Sequence, residues 1–242
     1  MADYKKRVVA FIDLLGFKSM VDRTLSSDGD VIATEVAKIA ETISTFRTNV
    51  QSPIFEDTDD RPLLTHFSDS LVLSFNPEYE GEVLRHFSAI RSLITDLIQH
   101  HYVACRGAIT YGWIHHSRDD RMGDVLFGPA LIEAYNKERF QAKYPRIIID
   151  NDVVELGIKH RADGTSENFA RSSLREYLLK DDDQVWFIDY ISKNIKSIWD
   201  NSLQFLPQYY DDIRITANRM ITTIDEKVRA KGSWLISKVP SR

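Results

Sequence analysis

Two aspartates interrupt stretches that otherwise read as buried β-strand. Asp13 ends the apolar run VVAFID, and Asp69 lies in the turn of LLTHFSDSLVLSF. Taking an unpaired polar group out of water at such a position costs roughly 2–7 kcal/mol, and a carboxylate more, a cost that a bound cation removes. Two carboxylates displayed from neighbouring strands can hold one or two divalent cations against a phosphorylated substrate. The alternative is a pair of ordinary strand-end turn aspartates.

The elements that must position them follow from periodicity. Residues 8–13 form a short, nearly all-apolar strand suited to the middle of a sheet. Across residues 30–50, Val31, Ile32, Val36, Ile39, Ile43 and Phe46 recur at helical intervals, with Asp30 suited to capping the start. Residues 51–62 are polar and carry Pro, as a surface loop does. Residues 63–67 and 71–75 are strands joined by Ser68, Asp69 and Ser70, a hairpin with Asp69 at its tip. A second helix spans residues 80–100. Residues 102–112 are β-like, and residues 113–120 read as an exposed hairpin or loop. Pro129 opens a further helix after Gly128, and residues 146–150 are another strand. The order β-α-β-β-α-β, followed by α-β, predicts a ferredoxin-like α+β domain with a largely antiparallel sheet and helices on one face. In that arrangement Asp13 and Asp69 converge. There is no internal repeat.

Composition bounds the function. The chain has 242 residues, 43% hydrophobic and 28% charged, with 10 Gly and 7 Pro, so an ordinary folded core is expected. A net charge of −5 argues against nucleic-acid or anionic-membrane partners, which favour basic surfaces. The opening residues fail as a signal peptide because Asp13 breaks the apolar run, and no window reaches the ~20 apolar residues of a membrane span. The single cysteine, Cys105, reads as a small strand filler and fits a reducing cytoplasm. The pairs His100-His101 and His115-His116 lack metal-site spacing and are expected to face solvent. The acidic groups Asp57, Asp59, Asp60 and Asp181, Asp182, Asp183 lack the glycine and terminal glutamate of a Ca²⁺ loop.

The residues between about 7 and 150 resemble a known family. The pattern F-x-D-x-x-G-F, met by Phe11, Asp13, Gly16 and Phe17, is similar to the first metal motif of class III nucleotidyl cyclases, and Asp69 stands at their second metal aspartate. The set FIDLLGF, HFSDSLVLS, RGAITYG and FGPALIEAY resembles most the pyrimidine cyclases of the bacterial Pycsar anti-phage system. The resemblance implies a palm-type cyclase domain acting as a homodimer with sites across the interface. Its substrate would be a nucleoside triphosphate, UTP favoured, cyclised to 3′,5′-cyclic UMP and pyrophosphate as a defence messenger.

On that reading Asp13, Asp69 and the carbonyl of Leu14 hold two Mg²⁺ or Mn²⁺ ions. The amides of Leu15, Gly16 and Phe17 cradle the triphosphate, glycine permitting close approach. Arg106 contacts phosphate, since a guanidinium offers forked donors and keeps its charge; the alternative is a strand-edge salt bridge. Departures matter as much. Where adenylyl cyclases carry a base-reading lysine this chain has Thr65, and where they carry an asparagine and an arginine it has Ile132 and Asn136. The base would then be read by Thr65, Tyr135 or Asn136, or by Phe46 and Arg47.

Past residue 150 the resemblance fades, giving a core over 1–150 and, over 151–242, one final strand (QVWFID) with a helical extension that braces the domain or the dimer. Its helices are expected at SSLREYLLK, DYISKNIKSIWDNSL and IRITANRMITTIDEKVRA, and Trp186, Phe187, Trp199 and Trp234 are expected to pack. CTP or a purine triphosphate remain alternative substrates, and a catalytically dead nucleotide-sensing module is the reading from another class.

Overall fold

The computed structural model describes residues 3–48, 61–119, 123–192 and 206–240. Eight strands build one mixed sheet: β1 (Lys5–Leu14), β2 (Leu63–Phe67), β3 (Ser70–Phe75), β4 (Cys105–Asp119), β5 (Gly123–Phe127), β6 (Ile147–Ile149), β7 (Leu178–Lys180) and β8 (Trp186–Ile188). The order is β2-β3-β1-β4-β6-β8-β7, with β5 paired to β4 alone. Only β4 and β6 run parallel among neighbours; the helix α4 (Pro129–Phe140) supplies that crossover. The expected α+β domain with a mostly antiparallel sheet is what forms.

The apolar run of β1 is explained by burial on both faces. Val8, Ala10, Ile12 and Leu14 face the larger core. There they meet Phe46 of α2 (Ala33–Thr48), Phe87, Ile90 and Ile94 of α3 (Glu82–Asp96), and Ile213 and Ala217 of α7 (Leu206–Ile221). Val9, with Val72 and Ile114, faces Ala130 and Ala134 of α4. Helices therefore cover both faces rather than one. The reason is the period of β1, apolar on its odd as well as its even positions, which leaves two sides to bury.

Other expectations shift. Residues 113–119, expected as an exposed hairpin or loop, do form a hairpin, but as a continuation of β4 that pairs antiparallel with β5, so that Ser117 faces Val125 in register; Asp120 lies outside the described residues. The segment SSLREYLLK is helical only to Arg175, where α6 (Glu167–Arg175) ends, and Leu178–Lys180 is an unexpected edge strand, while QVWFID supplies β8, the last strand along the described chain. IRITANRMITTIDEKVRA breaks between α7 and α8 (Glu226–Lys238), because Asp225 accepts hydrogen bonds from the Lys227 and Val228 amides and starts a new helix. Two shorter helices went unread, α1 (Phe17–Asp22) and α5 (Asn151–Lys159), and α3 runs into a π-helical turn, Leu97–His101. Most of DYISKNIKSIWDNSL, Trp199, the acidic residues 57, 59 and 60, and most of the loop at 51–62 lie outside the described residues. Trp234 packs as expected, stacked on Tyr144 at 5.3 Å. Among the described residues no helix is long and apolar enough to cross a membrane.

Candidate active site

The register of three strands assembles the site. β1 and β3 pair so that Asp13 faces Ser70, and β1 and β4 pair so that Asp13 also faces Arg106. Ser68, at φ 52, turns the β2-β3 hairpin in two residues, with positive φ at the first turn position as primed hairpin turns require. Asp69 is thereby delivered beside the end of β1, where its carbonyl accepts from the Leu14 amide at 2.9 Å. Ser70 is already in β3 rather than in the turn.

Asp13 is half-buried, its side chain 21% exposed. Burial raises its carboxyl above the usual carboxylate range and the charge of Asp69 adds to this, against the hydrogen bond that the Ser70 hydroxyl donates to Oδ1 at 2.9 Å and the pull of Arg106 and Lys231. Two carboxylates are thus held together at a cost that a cation would relieve. Their oxygens are hard donors, so the residues present fit Mg²⁺ or Mn²⁺ better than Zn²⁺. Among the described residues no group of three or more His, Cys, Asp or Glu side chains is gathered to hold a metal, at this site or elsewhere.

Arg106 Nε lies 4.0 Å from Asp13 Oδ2 and forms a closer ion pair with Glu138 of α4. Glu138 is buried, and burial first, with Asp13 next among the unfavourable influences, raises its carboxyl pKa while Arg106 opposes the rise. Sequence reasoning missed Glu138, yet a signal was there. Ala130, Ala134 and Glu138 recur every four residues and form the inward stripe of α4, and a charge on a buried stripe needs a partner. Lys231 of α8 was missed too. It is half-buried, its pKa is lowered chiefly by burial and then by Arg106, and Glu138 and Asp13 pull the other way. No sequence signal pointed to it, since 218 residues separate it from Asp13.

The remaining candidates are distributed. Gly16 adopts φ 82 at the start of α1, a left-handed conformation that favours glycine. The Leu15 amide is already spent on the Ala104 carbonyl at 2.8 Å, so it cannot join a phosphate cradle; those of Gly16 and Phe17 have no acceptor among the described residues. Tyr135 is exposed and meets Phe11 edge-on at 5.5 Å, and Asn136 is exposed on the same helix. Phe46 is fully buried and packs against His66, so it is core and not a base contact, while Arg47 is exposed.

Thr65 is buried and committed. Its hydroxyl donates to Asp124 Oδ2 at 2.6 Å and accepts from His116 Nε2 at 2.8 Å. His116 Nδ1 in turn accepts from Ser74, whose Oγ receives Arg7 Nε at 3.1 Å. This chain fixes one neutral tautomer, and burial pushes the His116 pKa down to about 4. His116 therefore does not face solvent as expected. His101 also bonds inward, to Thr45 at 2.8 Å. Cys105 is a buried filler, its thiol pushed up to about 12 by burial.

No protein-family model and no curated protein matches the chain. Among solved structures, the adenylyl cyclase CyaB from P. aeruginosa superimposes with a TM-score of 0.51 at 11% identity, over 79% of this chain and 97% of that one. Two structures of a bacterial light-regulated adenylyl cyclase align at 18% and 15% identity with TM-scores of 0.44 and 0.48, covering 64% and 87% of this chain. The chain spans only about half of their length, 45% and 58%. At such identities the likeness to CyaB is one of fold: the palm-type α+β arrangement of a class III cyclase domain.

Proposed function

We propose that this chain is a nucleotide cyclase that converts a pyrimidine nucleoside triphosphate, UTP in first place, into its 3′,5′-cyclic monophosphate and pyrophosphate. One observation carries the reading: the strand register that brings Asp13 beside Asp69 and opposite Arg106. In the reaction the ribose 3′-oxygen forms a bond to the α-phosphorus and loses its proton. The bond from that phosphorus to the bridging oxygen breaks, and pyrophosphate leaves with the electron pair. Asp13, Asp69 and the Leu14 carbonyl would hold two Mg²⁺ or Mn²⁺ ions, which supply acidification of the hydroxyl and neutralisation of phosphate charge when bound. Arg106, kept in place by Glu138, aligns the triphosphate, and the Gly16 and Phe17 amides donate to its oxygens.

The pyrimidine preference is supported by the commitment of Thr65 to His116 and Asp124, where adenylyl cyclases carry a base-reading lysine, and by Ile132 and Asn136 on α4, where they carry an asparagine and an arginine. Tyr135, though its hydroxyl accepts from Arg139 and its ring meets Phe11, and Asn136 are both exposed on α4, where a base could reach them. The exposed apolar side chains Ile132 and Phe140 on α4 support assembly as a homodimer with the sites at the interface. The product would act as a second messenger of anti-phage defence in the cytoplasm, as the resemblance implies.

The test is incubation with each of the four ribonucleoside triphosphates and Mn²⁺, with cyclic products identified by mass spectrometry. Cyclic UMP is expected. No cyclic product from any substrate refutes a cyclase, and cyclic AMP as main product refutes the pyrimidine preference. Asp69→Ala should abolish turnover and leave the fold intact; full activity in that variant removes Asp69 from the site.

A further inference from the structure

The C-terminal helices stand over the end of β1. A cavity of about 780 Å³ is walled on one side by Leu15, Gly16 and Ser19 and on the other by Arg219, Val228 and Lys231. The approach of α8 to α7 is set by Gly232, where a Cβ would lie 2.6 Å from the Ala217 carbonyl oxygen and 2.8 Å from Ile221 Cγ1. A larger residue there would lift α8 away, and with it the adjacent Lys231.

Several cations line the cavity, and most are engaged. Arg23 and Lys38 share Glu35, and Arg219 lies over the Tyr102 ring at 4.6 Å. Lys231 has no carboxylate within 4 Å among the described residues, though it is half-buried and faces the Asp13, Arg106 and Glu138 group. A half-buried ammonium without an ion pair carries a desolvation cost that the more distant Glu138, Asp13 and Asp225 offset only in part. An anion bound in the cavity would offset it, and the wall shared with Gly16 lies next to the carboxylates.

We propose that Lys231 is a phosphate-binding residue of this site, its ammonium receiving the terminal phosphates of the nucleotide and then the departing pyrophosphate. The helix pair α7-α8 thereby contributes a residue to the site instead of only bracing it. The proposal rests on the cyclase reading above and adds a residue from outside the region of resemblance.

The experiment uses the full chain with Mg²⁺ and inorganic tripolyphosphate as the probe. Lys231→Gln should weaken tripolyphosphate binding about 10- to 100-fold, the usual worth of one hydrogen bond to a charged group, while Lys231→Arg restores most of it. Binding of uridine, which lacks phosphate, should stay as in the wild type. In the wild-type protein, saturating tripolyphosphate should protect Lys231 from an amine-reactive label followed by peptide mass spectrometry, a readout that stands even if the variants fold poorly. Tripolyphosphate binding unchanged in Lys231→Gln, or labelling undiminished by tripolyphosphate, overturns the proposal. If the wild type cyclises no triphosphate, the cyclase reading falls, and the tripolyphosphate result still decides Lys231.

Discussion

Replacing Asp13 by Asn separates the cost of this carboxylate from its use. The side chain is 21% exposed, and burial and the neighbouring Asp69 hold its pKa above the ordinary value. An acid whose folded pKa is raised destabilises the fold wherever it is ionised in both states, and that penalty fades only as pH falls toward the acid range. Asn keeps the shape and an oxygen for the Ser70 hydroxyl but removes the charge. In the presence of chelator and at neutral pH, the variant should therefore be more stable than the wild type. For a chain of this size each kcal/mol moves the thermal midpoint by about 2–4 °C, so the gain reads as an upward shift in the scan. Mn²⁺ at about 100 times its dissociation constant should stabilise the wild type by about 2.7 kcal/mol, and the variant scarcely at all. Turnover should vanish in the variant. Calorimetric scans with and without metal, beside a product assay, measure all three. A variant less stable than the wild type in chelator, or one that keeps the full Mn²⁺ shift, refutes the reasoning.

Three further outcomes are expected. His116 and His86 both have pKa values pushed down to about 4 by burial, so the unfolded chain takes up protons first as pH falls below 6.5 and stability drops between there and 4; each contributes a loss of about 2 kcal/mol between pH 7 and pH 5. Urea titrations at the two pH values should show a loss smaller by that amount in His116→Gln, and an unchanged loss contradicts a neutral His116. In Gly107→Ala the new Cβ would lie 2.4 Å from the Phe11 carbonyl oxygen, beside the Asp13 and Arg106 register pair, and backbone cannot yield cheaply. A loss of about 1–3 kcal/mol together with reduced turnover is expected from denaturation and product assays. Glu138→Gln removes the closer of the two ion pairs that hold Arg106 and leaves only Asp13 at 4.0 Å, so turnover should fall while the fold is kept, as product and denaturation assays would show; wild-type turnover in this variant would show that Arg106 needs no such support.

Much of the fold was open to reading because its signals are local. The apolar run of β1, the hairpin around Asp69 and the helical intervals of α2 and α3 each lie within about twenty residues, and each forms close to where it was expected. Boundaries failed where neighbours overrule local preference. Residues 113–119 carry no strong strand pattern, and they extend β4 because β5 folds back to pair with them. Leu178–Lys180 reads as the tail of a helix until β8 offers it an edge.

The same division runs through the site. Sequence by itself singled out Asp13 and Asp69, since a charge that interrupts an apolar strand is conspicuous at any distance from its partner, while Arg106 came from the resemblance to the cyclase family. Only the tertiary structure could decide that Arg106 leans on Glu138, that the Thr65 hydroxyl is consumed by His116 and Asp124, and that Lys231 and Gly16 line the same cavity. Those relations depend on strand register and on the close crossing of α7 and α8 at Gly232, which join residues far apart in the chain. A residue type announces what its side chain can do; packing of distant segments fixes what it meets.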